Sequence, residues 1–292
     1  ETSTQIDFPV RYGFDPTFKA SAGIGRCGEP PEFVKTGDKM TLARPTCLSS
    51  AKFFAGRDKA LANMERDLPR YGIRYVWFGD EQSITGYGGN PVDFCFSEHC
   101  LRAMRAFVKG KYGTLERLNA EWETSFASWD DVVPFTRQEV WEAKGKHVAG
   151  WADHLEFMDS RLTNSLAYSC RRLHEVDPDL RYALSGTQAP SAYGGMDWWK
   201  ILHVLDCGLT YGVGGQHHIH GDFAPSGCFM PWSWGYSNRG EESVARIWQT
   251  AFLGCRGVMS FWARSMWSPD LTYTRGLADT APHVRRLVRG AG

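Results

Sequence analysis

Carboxylates, imidazoles, thiols and indoles limit the chemistry open to this chain. Asp80-Glu81 follows Ile73–Phe78, an apolar run rich in β-branched and aromatic residues that reads as a buried strand. His217, His218 and His220 fall within Gln216-His-His-Ile-His220, two residues before Asp222. On an extended segment His218 and His220 project from the same side. With Asp222 they could ligate a divalent metal, which would suggest a metal-dependent enzyme. The competing reading of these residues is a polar loop that hydrogen-bonds substrate hydroxyls. Eight cysteines at 27, 47, 95, 100, 170, 207, 228 and 255 are too sparse for a small disulfide scaffold.

Aromatic residues are in surplus, with 12 Trp, 11 Tyr and 17 Phe. Their flat apolar faces and polar edges match the C–H faces and hydroxyl rims of sugar rings, although plain packing uses them too. Trp232, Trp234 and Trp267 are the candidate sugar platforms. Gln188, Trp262 and Arg264 stand at or just beyond strand ends and join them as candidate binding residues.

The elements that must position these groups alternate. Ala51–Arg70 has helical spacing of Phe54, Leu61, Met64 and Leu68, closed by Pro69 and Gly72. Further helices are expected at Ser97–Tyr112, Leu115–Trp122, Trp141–Val176, Asp197–Leu205, Glu241–Leu253 and Ala281–Val288. Strands are expected at Ile73–Phe78, Arg181–Ser185, Cys207–Val213, Cys228–Trp232 and Gly257–Trp262. Strand alternating with helix is the pattern of a parallel α/β sheet. Polar and Trp residues just after the strands fit a (β/α)8 TIM barrel, whose active site lies on that rim. A doubly wound sheet would need a glycine-rich phosphate turn opening a helix, and Gly86, Gly88 and Gly89 do not form one. Residues 1–50 read as an irregular N-terminal segment and 51–292 as the barrel, incomplete on its N-terminal side. The remaining strands would lie in residues 1–50 or outside this chain.

Length and charge exclude other classes. The 292 residues suffice for one barrel domain, and 33 Lys plus Arg balance 33 Asp plus Glu. Without a basic surplus nucleic acid is not an expected partner. No stretch approaches the roughly 20 apolar residues of a membrane span. The sequence opens at Glu1 without Met, which removal of a signal peptide or a start within a longer chain would each explain. A secreted or periplasmic location is therefore expected over a cytoplasmic one.

The run from Arg44 to Pro134 resembles the catalytic barrel of glycoside hydrolase family 42, the β-galactosidase-like enzymes. The likeness rests on Arg44-Pro-Thr-Cys47, Asp80-Glu81, Cys95-Phe-Ser-Glu-His-Cys100, Phe107-Val-Lys-Gly-Lys-Tyr-Gly113, Thr114-Leu-Glu-Arg-Leu-Asn119, Trp122, Phe126 and Trp129. A weaker likeness returns in Gly257-Val-Met-Ser-Phe-Trp-Ala-Arg264. The resemblance implies hydrolysis of β-linked glycans by two carboxyl groups, about 5 Å apart in retaining enzymes. Glu81 falls on the acid/base position. Asp80 replaces the family Asn that binds the sugar 2-hydroxyl, and an ionised Asp accepts but cannot donate. Tyr211 matches a tyrosine that related barrels use to orient the nucleophile.

Where the family nucleophile should stand this chain has Pro231 and Trp232, and no carboxylate occurs from Phe223 to Gly240. Glu241 and Glu242 suit the first turn of a helix. Asp222 or Asp270 would be the displaced partner, in a retaining or a wider, inverting geometry. The alternative is a barrel that binds glycans without cleaving them. Many family members also hold a structural zinc on four Cys. Cys47, Cys95 and Cys100 match three of them, Ser97 replaces the fourth, and His99 is a substitute with different spacing. A lost site or a disulfide among the three is the competing reading. No other cofactor is implied, and homo-oligomerisation is an open expectation.

Overall fold

The computed structural model describes residues 17–20, 24–79, 81–86, 90–184, 191–208, 216–226, 228, 231–234, 240–252, 257–260, 282–283 and 285–286. Strand β1 (Thr17–Ala20) is followed by a short helix α1 (Pro31–Thr36) and the long α2 (Ala51–Tyr71). Strand β2 (Tyr75–Phe78) leads into an insertion holding α3 (Glu98–Tyr112), α4 (Leu115–Trp122) and α5 (Arg137–Glu142). Helix α6 (Val148–His174) then returns the chain to β3 (Arg181–Leu184). The rest comprises α7 (Trp198–Leu202), α8 (Gln216–Phe223), β4 (Pro231–Trp234), α9 (Gly240–Phe252) and β5 (Gly257–Ser260).

The strands β1, β2 and β3 lie side by side, all parallel, with Thr17 opposite Tyr75 and Tyr75 opposite Arg181. A parallel bridge from Ala183 to Cys207 continues the sequence of neighbours. β4 and β5 form a second parallel pair. Spatial order follows chain order without reversal, as in a barrel wall and unlike a doubly wound sheet. Residues 1–50 are not irregular throughout: β1 falls within them and extends the barrel sheet on the far side of β2.

Both faces of this sheet are buried. Val76, Phe78, Tyr182 and Leu184 join Leu61, Met64 and Leu68 of α2 and Leu162, Leu166 and Leu173 of α6 in the main core. Trp77, Ala183 and Cys207 form a separate cluster on the opposite face. Alternation of direction along each strand produces the two layers, and continuous apolar runs supply both.

Helix limits follow from capping. Ser50 accepts from the Phe53 N–H at the start of α2, and Gly72 ends it at φ 59°. Pro69 does not close α2 but sits in its last turn. The buried stripe uses Phe53, with Phe54 half-buried beside it. The expected single helix Trp141–Val176 is two helices: Lys144, Gly145 and His147 take positive φ of 55°, 91° and 64° and break the ladder. β4 begins at Pro231, three residues later than the expected strand at Cys228, and Pro suits a first strand position because it has no N–H to donate.

A buried carboxylate ties the insertion to α6. Asp153 accepts from Lys111 Nζ (2.7 Å), Tyr112 OH (2.7 Å) and Trp122 Nε1 (2.8 Å). The Lys-Tyr-Gly and Trp122 signature read from sequence thus meets at one acceptor and holds the fold rather than substrate. Next to Asp153 on α6, His154 is fully buried edge-on against the Phe96 ring (centroids 4.8 Å). Burial pushes its imidazole down from 6.5 to about 4, aided by Lys39 and opposed by the Cys95 backbone. A depressed folded value means full stability above pH 6.5, lost as pH falls through about 4. The native protein should lose on the order of 3 kcal/mol across that window through this residue. His154→Leu should flatten the acid limb of urea midpoints measured against pH. An unchanged limb would remove His154 as its origin.

Candidate active site

The β2 strand ends in a tight turn. Gly79 takes φ 62°, and a Cβ there would lie 2.4 Å from the Gln82 side chain. Two residues on, Glu81 adopts φ 48°, the left-handed region. Its side chain is 26% exposed and its Oε2 lies 3.6 Å from Nη1 of Arg26, which follows β1. The turns after β1 and β2 therefore meet at this carboxylate, on the rim where barrel active sites form. Both partners reach solvent, so the ion pair is worth at most about 1 kcal/mol. Gly79→Ala would force a side chain into the left-handed region, costing about 1–2 kcal/mol, and would displace the Gln82 side chain. A urea midpoint lowered by the equivalent of that cost relative to the wild type is the expected measurement.

The turn is anchored from several sides. Ser83 Oγ accepts from the Thr85 N–H (3.1 Å), and the Ile84 N–H donates to the Gly194 carbonyl (3.0 Å) beyond β3. Gly194 and Gly195 approach the turn closely: a Cβ would sit a tight 3.3 Å from Ser83 Oγ or 3.2 Å from Ile84 Cγ2. Arg44, 5% exposed, donates to the carbonyls of Ile84, Ile24 and Gly25. The buried Asp93 accepts from Trp151 Nε1 (2.7 Å) and from the Arg137 N–H (2.9 Å), and burial raises its carboxyl above the usual range. Both of its oxygens are engaged, so it orients Trp151, whose ring lies 6.3 Å from that of Tyr193. Arg26, Asp93 and Trp151 carry no motif in the sequence that would have singled them out, and Arg44 stood in the Arg44-Pro-Thr-Cys47 motif with no role attached.

The histidine segment is a helix rather than an extended stretch. In α8, residues two apart point to different sides. His218 is exposed, whereas His220 is fully buried with its ring 4.1 Å from Trp198. The expected pairing of His218 and His220 on one side is therefore incorrect. Asp222 is exposed on the same helix. Asp80, Gln188, Tyr211, Trp262, Arg264, Trp267 and Asp270 lie outside the described residues. Trp232 and Trp234 stand on β4, in register with Val258 and Ser260.

The cysteines do converge. Cys47, Cys95 and Cys100 are buried free thiols whose Sγ atoms all lie within 4.8 Å of one another, forming the one metal-capable group found among the described residues. Tetrahedral zinc with Zn–S bonds of about 2.3 Å needs sulfurs roughly 3.8 Å apart, so this donor set fits with small adjustment. His99 is exposed and faces away from this role; Ser97 Oγ accepts from Cys95 Sγ at 3.3 Å. Hydrogen bonds from Cys100 and Cys95 hold the Cys47 thiol far below the ordinary thiol range, while the Cys47 and Cys95 bonds push Cys100 upward.

Residues 78–211 match the family model of glycoside hydrolase family 42, described as Beta-galactosidase. That segment, somewhat under half of the chain, is similar to the β-galactosidase-like enzymes of family 42. The family 42-like domain is 34% identical to Beta-galactosidase LacA of Lactobacillus acidophilus over 102 residues, 32% of this chain and 15% of LacA. Its fold superposes on the β-galactosidase of the psychrophilic Marinomonas ef1 with a TM-score of 0.68 at 14% identity, over 98% of this chain and 51% of that one. The catalytic domain of β-amylase from Paenibacillus polymyxa gives the same TM-score, 0.68, at 15% identity, over 100% of this chain and 86% of that one. The architecture is thus that of a (β/α)8 TIM barrel. The chain spans about 15% of the LacA length and about half of the Marinomonas enzyme. Among the described residues no helix is long and apolar enough to cross a membrane.

Proposed function

We propose that this domain hydrolyses β-linked glycosides, with Glu81 as the proton donor to the departing sugar oxygen. The observation that carries the reading is the position of Glu81, on the turn closing β2, inside the segment matched by the family 42 model. A general acid there protonates the leaving oxygen as the glycosidic bond breaks, and a second carboxylate stabilises the oxocarbenium-like centre or attacks it. Asp270 is the first choice for that partner, since Asp222 is exposed on α8. Asp80, Gln188, Tyr211, Arg264 and the tryptophans at 232, 234, 262 and 267 are the proposed sugar contacts. Steady-state hydrolysis of aryl β-galactosides by the wild-type chain and by Glu81→Gln tests the assignment.

A second reading is favoured by one feature, Pro231-Trp232 where the family has a glutamate. In that reading the barrel binds glycans without cleaving them. Oligosaccharide binding by calorimetry, with no product after prolonged incubation, would select it. We further propose that Cys47, Cys95 and Cys100 hold a structural zinc. Such an ion would cross-link the segment before α2 to the segment before α3 and to α3 itself, a stabilising role outside the reaction.

A further inference from the structure

The thiol cluster is not isolated from the Glu81 turn, because Arg44 touches both. Its backbone N–H donates to Cys95 Sγ (3.4 Å). Its guanidinium donates to Ile84, in the Glu81 turn, and to Ile24 and Gly25 (2.7 Å to Gly25), which immediately precede Arg26, the ion partner of Glu81. Among the described residues Arg44 has no carboxylate partner. Burial works against its charge, and the thiols of Cys27, Cys95, Cys47 and Cys100 are the groups that favour it. A second guanidinium, Arg161 of α6, lies over the Phe157 ring (4.6 Å) and is likewise favoured by Cys100 and Cys47. Two cations set into this part of the core call for negative charge beside them. Three thiolates on a divalent cation carry one net negative charge and answer them; the thiol protons leave to solvent as the ion binds.

The fourth donor distinguishes this chain. Ser97 Oγ accepts from Cys95 Sγ and, at 3.3 Å, from the Cys100 N–H that begins α3. It thus touches one sulfur directly and the backbone of the residue that carries another. We infer that, with a soft divalent cation on the three thiols, Ser97 supplies the oxygen donor and Arg44 is the positioning residue through which the bound ion orders the Glu81 turn. The consequence for catalysis rests on the Glu81 reading above, whereas the linkage itself does not.

The test uses the reduced, chelator-stripped chain and its form reloaded with one equivalent of Zn2+ or Co2+. Co2+ should produce a sulfur-to-metal charge-transfer band, and Zn2+ should slow amide exchange at Ser83, Ile84 and Thr85 by about tenfold or more. In Arg44→Met the band should persist while the slowing at the turn disappears; Arg44→Lys, which keeps the charge but fewer donors, should give an intermediate result. Ser97→Cys should intensify the band and Ser97→Ala should weaken Co2+ affinity. Absence of the band, or equal slowing with and without Arg44, overturns the inference. Unchanged Co2+ affinity in Ser97→Ala overturns the assignment of the fourth donor. Neither readout depends on turnover, so a barrel that proves not to be a glycosidase leaves the result interpretable.

Discussion

Glu81→Gln is expected to reduce kcat/KM on alkyl and phenyl β-galactosides by about 10²–10⁴-fold, the usual contribution of a positioned general acid. The amide keeps the shape of the carboxyl group and the φ 48° turn, so the folded state should be preserved. What it removes is the transferable proton. The loss should therefore depend on the leaving group. A dinitrophenyl galactoside departs without protonation, and its bond-cleavage step should fall far less than that of an alkyl galactoside. A plot of log kcat/KM against leaving-group pKa should be steep for the variant and shallow for the wild type. Equal losses on both substrates would mean that Glu81 positions the sugar rather than protonating it. Wild-type rates on alkyl galactosides would remove Glu81 from the reaction.

Asp153→Ala should cost about 3–5 kcal/mol of stability, the range expected when one member of a buried charged network is deleted. Asp153 is 4% exposed and satisfies three donors at once. Its removal strands Trp122 Nε1 in a site where Trp122 is fully buried, and leaves the Lys111 ammonium with only the surface carboxylate of Glu156. Lys111 is 40% exposed, so the ion pair itself contributes the smaller share. Asp153→Asn retains an acceptor and should lose about half as much. Urea midpoints at neutral pH measure both. A pH dependence follows from Tyr112, whose hydroxyl is pushed up to about 12, by burial first and by its bond to Asp153. A raised folded value means that its stabilisation is complete below about pH 10 and fades as pH climbs through about 12. Tyr112→Phe should lack that alkaline loss. A cost under 1 kcal/mol for Asp153→Ala would show that the insertion is held by its apolar contacts alone.

Glu81 and Asp153 also show what could be read without coordinates. Ile73–Phe78 is apolar at every position but Arg74, so a strand buried on both faces is its only economical conformation, and Glu81 necessarily falls near its end. The Lys111-Tyr112 and Trp122 signature could be recognised but not explained, because its common partner lies 31 residues beyond Trp122. Strand β1 escaped notice for a related reason. Thr17–Ala20 is too short to show a period, and only pairing with β2 makes it a strand. The histidine segment misled because alternation was read where α8 has a helical turn, which separates His218 from His220.

Local spacing by itself determined the strand–helix alternation and put Glu81 just past the end of β2, whereas the choice of Cys47, Cys95 and Cys100 came from the family resemblance. Hydrophobic period and turn chemistry act between near neighbours and leave their mark in the order of residues. Tertiary structure alone decided that Arg26 meets Glu81, that Asp153 gathers three donors, and that Arg44 touches both the thiols and the Glu81 turn. Those contacts join segments far apart in the chain, and their partners are single polar side chains that follow no period. Only the close approach of barrel strands and their outer helices brings such groups within hydrogen-bond reach.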